Sequence, residues 1–392
     1  MQLKIFNGQV ITPGGILKGG SILVEDGKIV EVSGSAIDAS DASEVDACGN
    51  YISPGFIDIH VHGGGGYDFM DNTVEAFLGI AQLHAKHGTT AMLPTTLSCE
   101  KEDLLETLRI YEEANILNTK GSQFIGIHIE GPYFAMNQRG AQDPRYIRNP
   151  EPAEYREILS ASKSIKRWSA APELDGAIDF GRYMVSQNVL PAIAHTDAIY
   201  EDVIEAFNNG YTLATHFYSA MSGVIRRNAF RYAGVIESAY LIDEMDVEII
   251  ADGVHLPAPL LRLIYKIKGP QRTALITDAM RAAGMLPGES ILGSIKDGTK
   301  VIVEDGVAKM PDRNSFAGSV ATFDGLVRNM VQLAGVPLIE AVRMASETPA
   351  RIMKMDKKGS VEKGKDADIV IFDENIHIAA TIVNGKIVYT NT

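Results

Sequence analysis

Two hydrophobic patterns divide this chain. At both ends, apolar and polar positions alternate over short runs: KIFNGQVI and SILVEDGKIVEV near the start, DADIVIFDENIHIAATIVNGKIVYT near the finish. A period of two predicts half-buried strands. Asn7-Gly8, Asp26-Gly27 and Asn384-Gly385 favour type I′ turns, so each predicts a hairpin. Neither terminal piece is long enough for a comfortable core alone. Residues 1–52 and 359–392 are therefore expected to join as one small β-sandwich domain, with the middle of the chain as an insertion.

Between them, residues 53–358 carry eight short apolar segments: FIDIH, TTAMLP, FIGIHIE, KRWSAAP, LPAIAHT, TLATHF, VEIIADG and ALITDA. Each is followed by a helix-length stretch. Strands without alternation, buried on both faces and separated by helices, predict an α/β fold, the (β/α)8 TIM barrel.

Polar residues then fall at the ends of those strands. His60 and His62 close the first, Glu130 the third, His195 the fifth and His216 the sixth; Asp252 and His255 follow the seventh, and Asp278 ends the eighth. A lone His-x-His is most simply a solvated strand end. In a closed barrel, however, the C-terminal strand ends ring one face, so these residues converge. Four imidazoles with carboxylates suit Zn²⁺, Fe²⁺, Mn²⁺ or Co²⁺, and so many polar groups in a crowded barrel mouth would each need a partner. A metal-dependent (β/α)8 catalytic domain is the expectation.

Composition narrows the classes. The chain has 392 residues, 45% hydrophobic and 22% charged, which is ordinary globular material. A net charge of −14 argues against nonspecific nucleic-acid binding. No run of about 18 apolar residues predicts a membrane span, and the start MQLKIFNGQVITPGG lacks the pattern of a signal peptide. Cys48 and Cys99 suggest neither a disulfide framework nor a metal cluster, so a cytoplasmic location is expected.

The order of these ligands resembles the amidohydrolase superfamily. Within it, PGFIDIHVHG, GIHIEGPYF, AHTDA, ATHFYSAM, IADGVH and LITDAM are similar to the N-acetylglucosamine-6-phosphate deacetylase family. The resemblance spans nearly the whole chain. It implies removal of the acetyl group from N-acetylglucosamine 6-phosphate, giving glucosamine 6-phosphate and acetate. It also implies one or two divalent metals per subunit, with zinc foremost. Glu130, His195 and His216 match the main metal site, and His60 and His62 the second. Asp278 is expected as a further metal ligand and matches the catalytic acid/base, and His255 matches the residue contacting the acetamido carbonyl. Arg227, with the backbone at Ser219 and Ala220, matches a phosphate-binding surface in which the arginine reaches across a homodimer. Phe316, Ala317 and Gly318 match backbone lining the substrate pocket.

The chain departs from the family pattern in three places. Gln142 in RGAQDP replaces a substrate-contacting histidine, Ser219 replaces an asparagine, and NAFRYAG after Arg227 leaves Arg226 and Arg231 as rival anion binders. A glutamine can hydrogen-bond a hydroxyl but cannot carry charge. The changes leave open N-acetylgalactosamine 6-phosphate or an unphosphorylated N-acetylhexosamine. Another amide hydrolase or deaminase, or a catalytically silent barrel acting as sensor or assembly subunit, are the alternatives.

Other motifs are given lesser roles. HGGGG without a Gly-x-Ser-x-Gly elbow does not make a serine hydrolase; its glycines would let backbone pass close to a ligand or metal. FAGS reads equally as a turn whose Ser319 caps the next helix or, by the resemblance, as pocket wall. His84 and His87 are expected to pack or face solvent on a helix, His377 is assigned no role, and Asp252 leans towards a turn former.

Overall fold

The computed structural model describes residues 2–391. Its centre is a ring of parallel strands: β1 (Phe56–Val61), β2 (Thr89–Pro94), β3 (Ile127–Glu130), β4 (Ile165–Ala170), β5 (Leu190–Ile193), β6 (Leu213–Ala214), β7 (Asp246–Ile249) and β8 (Thr273–Leu275). Every expected strand is present. One ladder holds β2 and β1 beside the short strand Gln123–Phe124; a second runs β3 to β8 in order. They meet at two seams, through a parallel bridge between Thr95 and His128 and the Asp278 N–H donated to the His60 carbonyl at 2.9 Å. Helices such as Val74–Lys86, Lys101–Leu117 and Ala258–Lys268 follow the strands and bury their apolar faces against them.

The eighth unit carries an insertion. Between β8 and the helix Phe323–Gln332 lies a four-stranded antiparallel sheet of Gly288–Leu292, Thr299–Glu304, Val307–Lys309 and Phe316–Ser319. FAGS is thus a strand. Thr322 holds the N-cap position of the helix, while the Ser319 hydroxyl donates to the Thr277 carbonyl and ties the insertion to the barrel.

The chain ends share one eight-stranded sheet, in the order Lys386–Thr390, Ile378–Val383, Ile369–Phe372, Tyr51–Pro54, Gln2–Thr12, Gly15–Glu25, Lys28–Ser33, with Ser43–Asp46 paired parallel to the start of Gln2–Thr12. It closes over its own core, including Ile5, Ile22, Ile52, Ile369 and Ile382. Asp26-Gly27 and Asn384-Gly385 form the predicted hairpins, with φ of 46° and 79°, and 48° and 74°. Asn7-Gly8 does not. It is a bulge inside Gln2–Thr12, and a side chain at Gly8 would lie 2.4 Å from Ile52 Cδ1. Close packing required that glycine, where the sequence pattern suggested a turn.

The glycines after His62 let two backbone segments come together. The N–H groups of Gly63, Gly65 and Gly66 donate to the carbonyls of Ala279, Ala283 and Arg281 at 2.8–2.9 Å. A Cβ at Gly63 would stand 2.3 Å from the Tyr67 carbonyl oxygen. They lace the loop after β1 to the loop after β8. Among the described residues, no helix is long and apolar enough to cross a membrane.

Candidate active site

Barrel geometry delivers the site residues to one rim, and local backbone strain aims three of them. His195, His216 and Asp278 have φ of 47°, 30° and 48°, in the left-handed region. Such conformations cost non-glycine residues about 1–3 kcal/mol each and gather at functional sites. Here each turns a side chain inward immediately after a parallel strand.

The imidazoles are oriented by what their other nitrogens touch. Nδ1 of His62 faces the Thr95 carbonyl at 3.2 Å, Nδ1 of His195 the Gln138 carbonyl at 2.7 Å, and Nδ1 of His216 the Ser219 carbonyl at 3.1 Å. A carbonyl oxygen only accepts, so each Nδ1 carries a hydrogen and each Nε2 is the nitrogen available to a cation. Those Nε2 atoms converge: His60 and His62 are 3.3 Å apart, His195 and His216 3.2 Å. Glu130 stands between the pairs. Its Oε1 is 3.2 Å from Nε2 of both His60 and His216, and its Oε2 is 3.4 Å from Nε2 of His62. His60, His62 and Glu130 form one cluster of ligand atoms within 4.8 Å of one another; Glu130, His195 and His216 form another. The donor set fits a divalent cation at either cluster.

Electrostatics agrees with this grouping. Burial works against an ionised Glu130, yet the imidazoles around it, His60 foremost, hold its carboxyl well below the usual range. Asp278 behaves alike: burial opposes its charge, and His60 and His62 outweigh it. Its Oδ1 lies 3.2 Å from His62 Nε2.

The cluster forms one wall of an open cleft of about 470 Å³. His62, Glu130, Gln142, His195, His216, Ser219, Ala220, His255, Asp278, Phe316 and Gly318 all line it. His255 is turned by Asp252, whose Oδ2 accepts from Nδ1 at 2.7 Å while Oδ1 accepts the N–H groups of Val254 and His255. Asp252 is therefore turn former and orienting partner together. Its neighbour Phe316 sets its ring 4.7 Å from that of His255.

Three expected residues make contacts that the sequence did not suggest. Ala317 is fully buried in the core of the inserted sheet, with Met280, Leu292 and Val301. Arg227 lies outside the cleft of its own chain, exposed on the hairpin Ile225–Arg227/Phe230–Tyr232 with its guanidinium over Tyr232. Gln142 has both ends of its amide engaged by the protein, Oε1 accepting from Ser98 N–H and Nε2 donating to Glu130, each at 2.8 Å. His84 is buried with Nε2 on the Gly63 carbonyl, and His87 faces Asp324, so neither joins the site.

A polar layer inside the barrel was not anticipated. Arg167 pairs with Glu248 and reaches Thr215 and the Ile59 carbonyl. Glu248 in turn lies 3.8 Å from His60 Nδ1. His128 bonds Ser169, and Asp58 accepts from Thr277; burial pushes Asp58 up to about 7. The sequence did hold a signal: period-two polar positions within FIDIHVH and IHIE point to the barrel interior.

With this geometry in place, the comparisons decide the family. The model of the amidohydrolase family matches residues 51–388. The chain belongs to that family. It is 33% identical to N-acetylglucosamine-6-phosphate deacetylase of Lysinibacillus sphaericus, over 100% of this chain and 99% of the relative. It is 32% identical to N-acetylgalactosamine-6-phosphate deacetylase of Escherichia coli O157:H7, over 97% of each. A mutant N-acetyl-D-glucosamine-6-phosphate deacetylase from Mycobacterium smegmatis, solved with N-acetyl-D-glucosamine-6-phosphate, superposes with a TM-score of 0.90 at 31% identity, covering 100% of this chain and 99% of that one. The Pasteurella multocida deacetylase gives 0.91 at 28% identity, covering both chains entirely. This amidohydrolase is a hydrolase of the N-acetylglucosamine-6-phosphate deacetylase group, with residue clusters suited to the family's metal.

Proposed function

We propose that this amidohydrolase hydrolyses the acetamido bond of N-acetylglucosamine 6-phosphate, releasing acetate and glucosamine 6-phosphate. The observation that carries it is the convergence of four imidazole Nε2 atoms on Glu130, with Asp278 at the same point of an open cleft.

An amide resists water because its carbonyl is weakly electrophilic and its nitrogen leaves poorly. Glu130, His195 and His216 would hold one divalent cation, with His60 and His62 sharing Glu130 for a second; zinc best suits this nitrogen and oxygen set. When bound, such a cation makes water nucleophilic near neutral pH and polarises a carbonyl. Asp278 takes the proton of the attacking water and returns it to the departing nitrogen. His255, oriented by Asp252 at its Nδ1, turns its Nε2 edge toward the cleft, where it stabilises the carbonyl oxygen as negative charge develops there. Ser219, Ala220, Phe316 and Gly318 frame the sugar. Arg227, outside its own cleft, acts on the phosphate from a second copy in a homodimer. The two unpaired cysteines suit a reducing cytoplasm.

One observation favours a second sugar. Gln142 and Ser219 stand where the family pattern differs, and the galactosamine relative is about as similar as the glucosamine ones. Acetate release from N-acetylglucosamine and N-acetylgalactosamine, each with and without a 6-phosphate, tests the proposal. Fastest turnover of N-acetylglucosamine 6-phosphate is expected; preference for the galacto epimer moves the reading to that sugar, and no release from any of them overturns it.

A further inference from the structure

Gln142 was expected to touch substrate, and its amide already holds two partners within the protein. The side chain is 6% exposed. Ser98 N–H, a backbone donor that cannot reverse its role, fixes which end of the amide is oxygen, so Nε2 must point the other way, at Glu130 Oε2. That oxygen is the one facing His62, whereas Oε1 faces His60, His195 and His216. A carboxylate free to rotate would present either oxygen to either cluster.

We propose that Gln142 is a positioning residue that locks the rotation of Glu130, holding Oε1 toward His60, His195 and His216 and Oε2 toward His62. A neutral amide does this without adding charge to the centre, and it leaves the second lone pair of Oε2 open. The loop that carries it serves the other cluster as well: Gln138, four residues earlier, accepts from Nδ1 of His195 through its carbonyl, and its side chain is tied to Asp197 at 2.7 Å. A single segment therefore braces a ligand on each side. Outer hydrogen-bond partners of this kind govern metal affinity, their loss costing about 10–100-fold.

The proposal rests on the metal-centre reading above, and the test separates the two. Wild type, Gln142→Leu and Gln142→Asn are each loaded with zinc, and the metal retained against a graded chelator is measured beside kcat and KM. The asparagine, one methylene shorter, stays polar but cannot span Ser98 and Glu130, which keeps the test open if the leucine variant folds poorly. Both variants are expected to hold zinc about 10–100-fold more weakly, with kcat lowered and KM at saturating zinc within about twofold of wild type. Wild-type zinc retention with a raised KM would make Gln142 a substrate contact and overturn the proposal, as would variants indistinguishable from wild type. A wild-type protein that retains no metal would instead overturn the reading of the centre itself.

Discussion

Asp278 Oδ1 lies 3.2 Å from Nε2 of His62 and 3.5 Å from Nε2 of His60, so a carboxylate from the last barrel strand closes against the first. In that position it shares the metal's neighbourhood without belonging to either three-residue cluster. Asp278→Asn removes the proton acceptor and keeps the shape. Turnover is expected to fall by about 10²–10⁴-fold, with metal content close to wild type by elemental analysis. Unchanged turnover would take the acid/base role from Asp278.

His195→Ala deletes an imidazole whose Nδ1 is held by the Gln138 carbonyl, leaving Nε2 facing the proposed centre. Metal affinity should drop by more than the about 10–100-fold that an outer partner costs, and activity should fall with it. Chelator competition at constant pH reads the first effect and an acetate assay the second. Full metal retention would remove His195 from the centre.

Arg227 is exposed on a hairpin and absent from its own cleft. A charge-assisted bond to phosphate contributes about 1.5–3 kcal/mol. Arg227→Ala should therefore raise KM about tenfold or more for a 6-phosphorylated substrate and leave the unphosphorylated analogue nearly unaffected. Equal effects on both substrates would contradict a phosphate role. Mixing this variant with a Asp278→Asn partner tests the subunit-crossing geometry, because hybrid dimers should contain one site with both residues intact and recover activity.

Glu248 and Arg167 pair wholly inside the barrel. Burial opposes the charge of Glu248, and Arg167 outweighs it, lowering its pKa. Glu248→Ala would strand the guanidinium, costing about 3–5 kcal/mol, measured as the midpoint of denaturant unfolding. Arg167→Met with Glu248→Leu should recover most of that loss, since neither charge is then left alone. A double variant no more stable than the single one would mean that the pair stabilises beyond removing each other's penalty.

Much of this was legible in the sequence. The doubly buried strands gave the barrel, and Asp26-Gly27 and Asn384-Gly385 gave their turns because local backbone preference and tertiary need coincide there. Asn7-Gly8 misled because its glycine answers to Ile52 across the sheet, which no local pattern reveals. The inserted sheet was not among the expected elements, although Asp305-Gly306 within TKVIVEDGVAK makes the same kind of turn, at φ of 53° and 78°. Metal-site candidates were visible because strand ends are fixed by topology. The contact of Gln142 with Glu130 was not legible, because which way an amide points depends on Ser98, far from it in the chain.

The sheet shared by both ends has a consequence for biosynthesis. Tyr51–Pro54, which leads directly into β1, gains its antiparallel neighbour only when Ile369–Phe372 is available, and the Gly55 N–H waits for the Asp368 carbonyl. A nascent chain therefore emerges with that edge open, and the edge can be sealed only once Asp368 to Phe372 have left the ribosome.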